Sequence, residues 1–270
     1  MVEFNWPHWL SRKGKYQKPA PAEQSAAGDS PSLPRIGGMA TMPSRWKSFK
    51  IALPHILTQV DHLYLYLDKY THIPAEITTE KKIISLLPEA DEKSLTASGK
   101  FACFNIITEP FLFFGFDDDI IYPPGYVNHM AAALFRHNYR ALVGIHANIY
   151  KIPCTSYVRK RKVLHFKESL RMDCVVDELG TGTVAFHSQC ISIDPNAWVL
   201  NRHADLMLMI TCLSQQIPRI AVRRPWRFLR PIKECQKDSV YVEVRSNDSV
   251  ETGLLQKAMA DYPGRWCRSD

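Results

Sequence analysis

Five short apolar runs between residues 35 and 146 are interleaved with segments whose apolar residues recur at helical spacing. A chain written that way closes a core by laying helices against a sheet. "RIGGMAT" (35–41) reads as a short buried strand. Pro43 suits the first turn of a helix carrying Phe49, Ala52, Leu53, Ile56, Leu57 and Val60 on one face. Pro54 is expected to bend or split that helix. "HLYLYL" (62–67) and "KIISLL" (82–87) read as strands, "GKFACFNIIT" (99–108) as a helix and "FLFFGF" (111–116) as the most apolar strand. Val127, Met130, Ala131, Leu134 and Phe135 form a helical stripe ahead of one more strand, "ALVGIH" (141–146). The expected class is α/β, with a mainly parallel sheet flanked by helices.

After residue 147 the strands shorten and polar turns multiply. "DELGTGTVAFH" (177–187) has the pattern strand, glycine turn, strand. Leu206, Met209, Ile210 and Leu213 share a helical face, with Met207 and Met209 read as core, and "PRIAV" (218–222) reads as a last strand. Beyond residue 233 one weak strand, "SVYVEV", and a short helix at 254–259 are expected. No internal repeat is visible. Residues 1–34 are rich in Pro, Ala and Ser and too poor in large apolar residues to offset the entropy of ordering. Within them "FNWPHWLSRKGKYQK" mixes aromatics with cations, which suits a membrane surface, a partner, or a merely sticky end. The expected layout is a leader (1–34), a folded region (35–232) in two continuous halves (35–147 and a smaller portion of mixed strands, 148–232), and a tail (233–270).

At 46% hydrophobic and 23% charged residues the 270-residue chain has the composition of a soluble globular protein. No run approaches the ~20 apolar residues that cross a bilayer, and no export signal is evident. The seven cysteines are odd in number and form no C-x-x-C pair, which favours reduced thiols in a cytoplasmic protein over a disulfide frame or zinc site. The net charge of +7 is uneven: residues 219–233 hold six Lys or Arg and no acid. Such a patch attracts phosphates, acidic polymers or anionic membrane surfaces, or is simply a solvated basic face.

"FLFFGF" runs straight into Asp117, Asp118 and Asp119. In open α/β sheets ligands sit beyond the carboxyl ends of the strands. Three carboxylates packed there repel one another unless a divalent cation neutralises them, and hard cations such as Mg²⁺ or Mn²⁺ take one or two carboxylates plus water and phosphate oxygens. In an extended segment Asp117 and Asp119 point to one side and Asp118 to the other. The competing reading is an acidic turn in which Asp119 caps the helix after Pro124. "MATMPSR" (39–45) places helix-start N–H groups and Arg45 where a phosphate can meet them. "SGK" puts Lys100 at an expected helix start without P-loop spacing. "GTGT" (180–183) permits close backbone approach to a ligand or forms a tight hairpin turn.

Taken in order, "RIGGMATMPSRWKSFKIALPHILTQVDHLYLYLDKYTHIP", "GK", "FGFDDDIIYPPGYVNHM", "VGIHANIY", "LGTGTVAFH" and "IPRIAVRRPWRFLRPI" resemble the GT-A-type glycosyltransferases of bacterial capsule and surface-polysaccharide synthesis, in particular the N-acetylglucosaminyltransferases of heparosan capsule assembly. The resemblance covers about residues 35–232. It implies a GT-A-like (Rossmann-like) fold, a UDP-sugar donor, a Mn²⁺ or Mg²⁺ cofactor, and an oligosaccharide or lipid-linked glycan acceptor, with no nucleic acid involved. The implied location is cytoplasmic, with contact to the inner membrane face through the N-terminal segment as an option. By the same resemblance Ala40, Thr41, Pro43 and Arg45 line the nucleotide pocket, Lys100 approaches ribose or diphosphate, and Asp117 and Asp119 hold the metal while Asp118 joins them at the donor. Gly180, Thr181, Gly182 and Thr183 border the transferred sugar, and Asp205 matches an acidic position of the family. Asp205 is the first candidate for a base, with Asp177 and Glu178 next. Arg219, Arg223, Arg224 and Arg227 are candidates to stabilise charge on the departing diphosphate. His203 either completes the metal shell or faces water, His146 and His187 read as core histidines, and Trp226 either stacks on a sugar or packs. A heparosan-type product implies retention, by a protein nucleophile or by same-face attack. A metal-dependent nucleotidyltransferase or pyrophosphohydrolase, and a non-catalytic sugar-nucleotide-binding module, are the alternatives.

Overall fold

Each of the five apolar runs becomes a strand of one sheet. A computed structural model describes residues 33–89, 93–232, 246–264 and 266–267, and those from Pro34 onward belong to one compact unit. The runs form β1 (Arg35–Thr41), β2 (His62–Leu67), β3 (Ile83–Leu86), β4 (Leu112–Phe116) and β6 (Leu142–Gly144); β5 (Ile120–Ile121) is a short strand after β4. Further along come β7 (Ala147–Tyr150), β8 (Arg161–Leu164), β9 (Cys174–Val175), β10 (Glu178–Leu179), β11 (Val184–His187), β12 (Arg219–Ala221) and β13 (Arg230–Pro231). The main sheet has the order β3-β2-β1-β4-β11-β6-β12-β9. Only β11 and β9 run against the rest, so the sheet is mainly parallel as expected. A second sheet pairs β10, β7 and β8, and a two-stranded ribbon pairs β13 with β5.

Helices cover both faces. α1 (Trp46–Leu57) buries Phe49, Ala52 and Ile56, and Pro54 lies inside it without ending it. α2 (Ala75–Thr78) is a single turn. α3 (Tyr126–Arg136) buries Val127, Met130 and Leu134, whereas Phe135 is exposed. α4 (Ala204–Ser214) buries Leu206, Met207, Met209 and Leu213. Successive side chains of a strand face opposite ways. Phe113 of β4 therefore meets Phe101 and Phe104 on one face, at 5.2 Å each, while Phe116 meets Tyr122 and Tyr126 on the other, at 4.8 and 6.1 Å. A strand buried on both faces needs the unbroken apolar run that "FLFFGF" supplies.

Three expectations are corrected. The helix foreseen at 99–108 is a 3₁₀ helix, Thr96–Asn105, lying against β1, β2 and β4. It fits because Gly38 has no side chain: a Cβ there would overlap the carbonyl of Lys100. The "GTGT" segment is no hairpin turn, since β10 before it belongs to the second sheet and β11 after it to the first. Residues 249–261 form α5 (Ser249–Asp261), longer than the 254–259 helix foreseen, with Leu255 and Ala258 buried against the core. "SVYVEV" lies outside the described residues. Among the described residues no helix is long and apolar enough to cross a membrane. Cys103, Cys154 and Cys212 are buried, and no disulfide forms among the described cysteines.

Candidate active site

β1 and β4 lie side by side, and their chain neighbours depart in opposite directions: β2 pairs on the far side of β1, β11 on the far side of β4. The crevice beyond their carboxyl ends is a switch point of the sheet, where open α/β folds bind ligands. Thr41 closes β1 there, and the aspartates follow β4.

Asp117, Asp118 and Asp119 leave the strand in a turn, so the simple two-sided alternation does not hold. Instead each carboxylate has its own partner. Lys100 Nζ, buried, donates to Asp117 Oδ1 at 2.6 Å. Thr41 Oγ1 donates to Asp118 Oδ2 at 2.8 Å. Arg45 Nη1 lies 3.1 Å from Asp119 Oδ2 and 3.5 Å from Asp118 Oδ1. Pro43 opens the 3₁₀ turn Pro43–Arg45 that delivers this guanidinium, and α1 starts directly after it. Asp119 does not cap α3: Gly125, at φ 80°, occupies that position with no side-chain cap. Burial pushes Asp118 up to about 7 despite Arg45 and Thr41. Burial, then the charge of Asp117, raises Asp119 as well. Three carboxylates face two cations, and the remaining negative charge is poorly solvated.

The opposite wall of the crevice is the 3₁₀ turn Thr181–Thr183. Gly182 sits on the Asp117 carboxylate, where any Cβ would overlap it. Tyr122, fully buried, receives the Asp117 backbone N–H at 2.8 Å and donates to the Gly182 carbonyl at 2.6 Å. Asp205, in the first turn of α4, accepts both the backbone N–H and the hydroxyl of Thr181 on Oδ1, each at 2.7 Å. Burial raises its affinity for a proton. The structure thus brings together Thr41, Pro43, Arg45, Lys100, Asp117, Asp118, Asp119, Thr181, Gly182 and Asp205, with Ala40 one residue inside β1 and Gly180 and Thr183 flanking the turn.

Other candidates stand elsewhere. Asp177 is buried, accepting the backbone N–H groups of Tyr150 at 2.7 Å and Cys267 at 2.6 Å. Glu178 is buried among Asn148 Nδ2 (2.5 Å), Tyr157 Oη (2.9 Å), Tyr150 Oη (3.0 Å) and Arg161 Nη1 (3.7 Å). Both carboxylates hold the second sheet together, and neither faces the crevice as a free base. His203 Nε2 lies 3.0 Å from Glu251 Oε1 on α5, so its partner is a helix and not the triplet. Arg219 starts β12, at the far end of the sheet, and donates to the Ile217 carbonyl. Arg224 is spent on the carbonyls of Leu164, His165, Glu168 and Val222. Arg223 and Arg227 are exposed, and Arg227 stacks at 4.1 Å over Trp226, which is also exposed. His187 ends β11 at the far end. His146 follows β6 at the near end, beside His165, and burial drives its pKa down to about 3, so the ring is neutral.

Two residues that sequence reasoning passed over belong to the crevice. Asp68 closes off β2, buried, with its backbone N–H on Thr41 O at 2.9 Å and Ser94 Oγ on its carboxylate at 2.7 Å. Nothing in "YLDKY" distinguishes it. Tyr122 carries the one available signal, a tyrosine three residues past the triplet within "IIYPP".

The donor set fits a hard divalent cation. Asp117 and Asp119 offer carboxylate oxygens, and at Asp119 burial makes uncompensated negative charge costly. Among the described residues no group of three or more His, Cys, Asp or Glu is placed to hold a metal ion by itself. Two carboxylates leave the other positions to water and to phosphate oxygens, as such ions prefer.

No protein-family model and no curated protein matches the chain. Among solved structures it is similar to GalNAc-T7, in a crystal structure with UDP, GalNAc and Mn²⁺, at a TM-score of 0.52 and 8% identity. The match covers 88% of this chain but 56% of that one, so the chain spans little more than half the length of its structural neighbour. What the two share at that identity is the fold, and the mainly parallel sheet flanked by helices described above is GT-A-like.

Proposed function

We propose that the protein is a metal-dependent glycosyltransferase that moves a sugar from a UDP-sugar to a glycan or glycolipid acceptor. The observation that supports this best is the aspartate triplet at the switch point of the sheet, paired with Lys100 and Arg45 and roofed by the Thr181–Thr183 turn. The solved neighbour with UDP, GalNAc and Mn²⁺ supports the same reading of the donor. The finer assignment, N-acetylglucosamine transfer in capsule or surface-polysaccharide synthesis at the inner face of the membrane, rests on the sequence resemblance.

Asp117 and Asp119 are the residues to hold the cation, which supplies neutralisation of charge on the departing diphosphate. Lys100 and Arg45 turn from the carboxylates to the phosphate oxygens and stabilise the same charge. Thr41, Ala40, Pro43 and Asp118 form the floor under the nucleotide. Residues 180–183 border the sugar, and Asp205 holds that border through Thr181. The bond from the anomeric carbon to the diphosphate oxygen breaks, and one to the acceptor hydroxyl oxygen forms. For an inverting outcome the hydroxyl proton passes to Asp205, whose burial makes it a stronger base. For retention by same-face attack it passes to the leaving diphosphate.

Incubation with Mn²⁺ and a panel of UDP-sugars tests the reading by UDP release. Release that needs both metal and acceptor supports it. Metal-dependent cleavage of free nucleotides indicates a pyrophosphohydrolase, and binding without turnover indicates a sugar-nucleotide-binding module. The anomeric proton of the product, read by NMR, decides between inversion and retention.

A further inference from the structure

We propose that Tyr122 is a positioning residue that fixes the separation between the aspartate triplet and the Thr181–Thr183 turn, and with it the register of the donor sugar on its diphosphate. The inference rests on the glycosyl-transfer reading above. Tyr122 is wholly buried, and its ring is set by the core, edge-on to Phe116 at 4.8 Å and tilted against Tyr126 at 4.9 Å. Its hydroxyl is thereby delivered to one point, 2.8 Å from the Asp117 nitrogen and 2.6 Å from the Gly182 oxygen.

The direction of both bonds is forced. A backbone N–H only donates, so the hydroxyl accepts from Asp117. Its single proton then goes to the Gly182 carbonyl, which only accepts. One buried atom therefore ties the backbone of the first aspartate to the backbone of a turn sixty residues beyond Tyr122 in sequence. The Asp117 carboxylate lies on Gly182 as well, so the same two residues meet twice, once through a side chain and once through Tyr122. The segment that leads into Tyr122 is anchored too. β5, just before it, pairs with β13, and Ile232 N–H donates to the Asp119 carbonyl at 2.7 Å.

In the proposed reaction the two tied segments hold the two ends of the bond that breaks. Asp117 faces the diphosphate side and Gly182 the sugar side. A nucleotide without its sugar touches one end only. Loosening the tie leaves nucleotide binding in place but spoils the alignment of the reacting atoms, a loss that falls on kcat.

The test compares wild type with Tyr122→Phe, which keeps the ring and removes the hydroxyl. UDP affinity and stoichiometry with Mn²⁺ come from calorimetry, cooperative melting from circular dichroism, and kcat is expressed per UDP-binding site. The phenylalanine variant is expected to melt cooperatively, bind UDP within about threefold of wild type, and lose kcat at least about tenfold. p-Aminophenylalanine at 122, whose amine both accepts and donates, is expected to recover most of that loss. Unchanged kcat in Tyr122→Phe, equal losses of kcat and UDP affinity, or no recovery with the amine overturns the proposal. If Tyr122→Phe does not melt cooperatively, the amine variant is read alone. As a weaker donor than a phenol it is expected to lower kcat a few-fold at constant UDP affinity, and any other pattern overturns the proposal. A wild-type protein that binds no UDP in the presence of Mn²⁺ overturns the glycosyl-transfer reading itself, an outcome separate from all of these.

Discussion

Asp117 and Asp119 each carry a cation already, Lys100 at 2.6 Å and Arg45 at 3.1 Å. A metal ion arriving alone must compete with both, whereas one arriving with a diphosphate gives Lys100 and Arg45 phosphate oxygens in exchange. Mn²⁺ is therefore expected to bind at least about tenfold more tightly in the presence of UDP than without it, a coupling of at least about 1.4 kcal/mol, measured by calorimetry. Asp119→Asn is expected to weaken the Mn²⁺–UDP complex by at least about tenfold and to leave the melting temperature unchanged or higher, because a partly buried carboxylate repelled by Asp117 is removed. Glu178 gives a prediction of a different kind. Burial, opposed by Arg161, raises its pKa to about 7 from the ordinary 4.5. The folded state then holds a proton that the unfolded state releases. This contribution to stability is complete below about 4.5 and is lost as pH rises through about 7. Urea midpoints between pH 4 and 8 are expected to show that decline, and Glu178→Gln to flatten it. A midpoint that rises with pH in wild type relative to Glu178→Gln contradicts the argument.

At the scale of elements, the crevice depends on close approach more than on any one strand. Gly182→Ala is expected to drive the Asp117 carboxylate itself out of place for the cation, lowering Mn²⁺–UDP affinity at least about tenfold; affinity equal to wild type in a folded variant counts against the geometry. α5 matters for stability. Its Leu255 is fully buried, Thr252 Oγ1 receives the Tyr157 N–H at 2.9 Å, and Glu251 meets His203 at the start of α4. Leu255→Ala is expected to cost about 2–4 kcal/mol in urea denaturation. The strands were legible because a parallel strand must be apolar on both faces, which short runs such as "FLFFGF" and "HLYLYL" state outright. α5 was legible only in part, as a short helix at 254–259. Its apolar stripe is thin, interrupted by Gly253 and by polar residues, and part of its hold on the fold comes from hydrogen bonds to Ser156 and Val158 through Asp248.

For the whole molecule, the described residues from Pro34 onward form one compact unit. A chain beginning at residue 33 is accordingly expected to melt cooperatively and to match the full-length protein in Mn²⁺-dependent UDP binding; a loss of either shows that the leader contributes to the fold or the site. The sequence by itself determined the α/β class, the five core strands, and the location of an acidic triplet at a strand end, because these follow from periodicity and from the rarity of adjacent carboxylates beside an apolar run. Only the tertiary structure decided which carboxylates face the crevice. Asp177, Glu178 and Asp205 look alike along the chain, yet the first two are buried as braces of the second sheet and the third holds the turn above Asp117. His203 likewise found Glu251 instead of the triplet, and Tyr122 found two backbone groups that no spacing rule connects. Hydrogen-bond partners depend on where distant segments come to rest, and a local pattern carries no record of that.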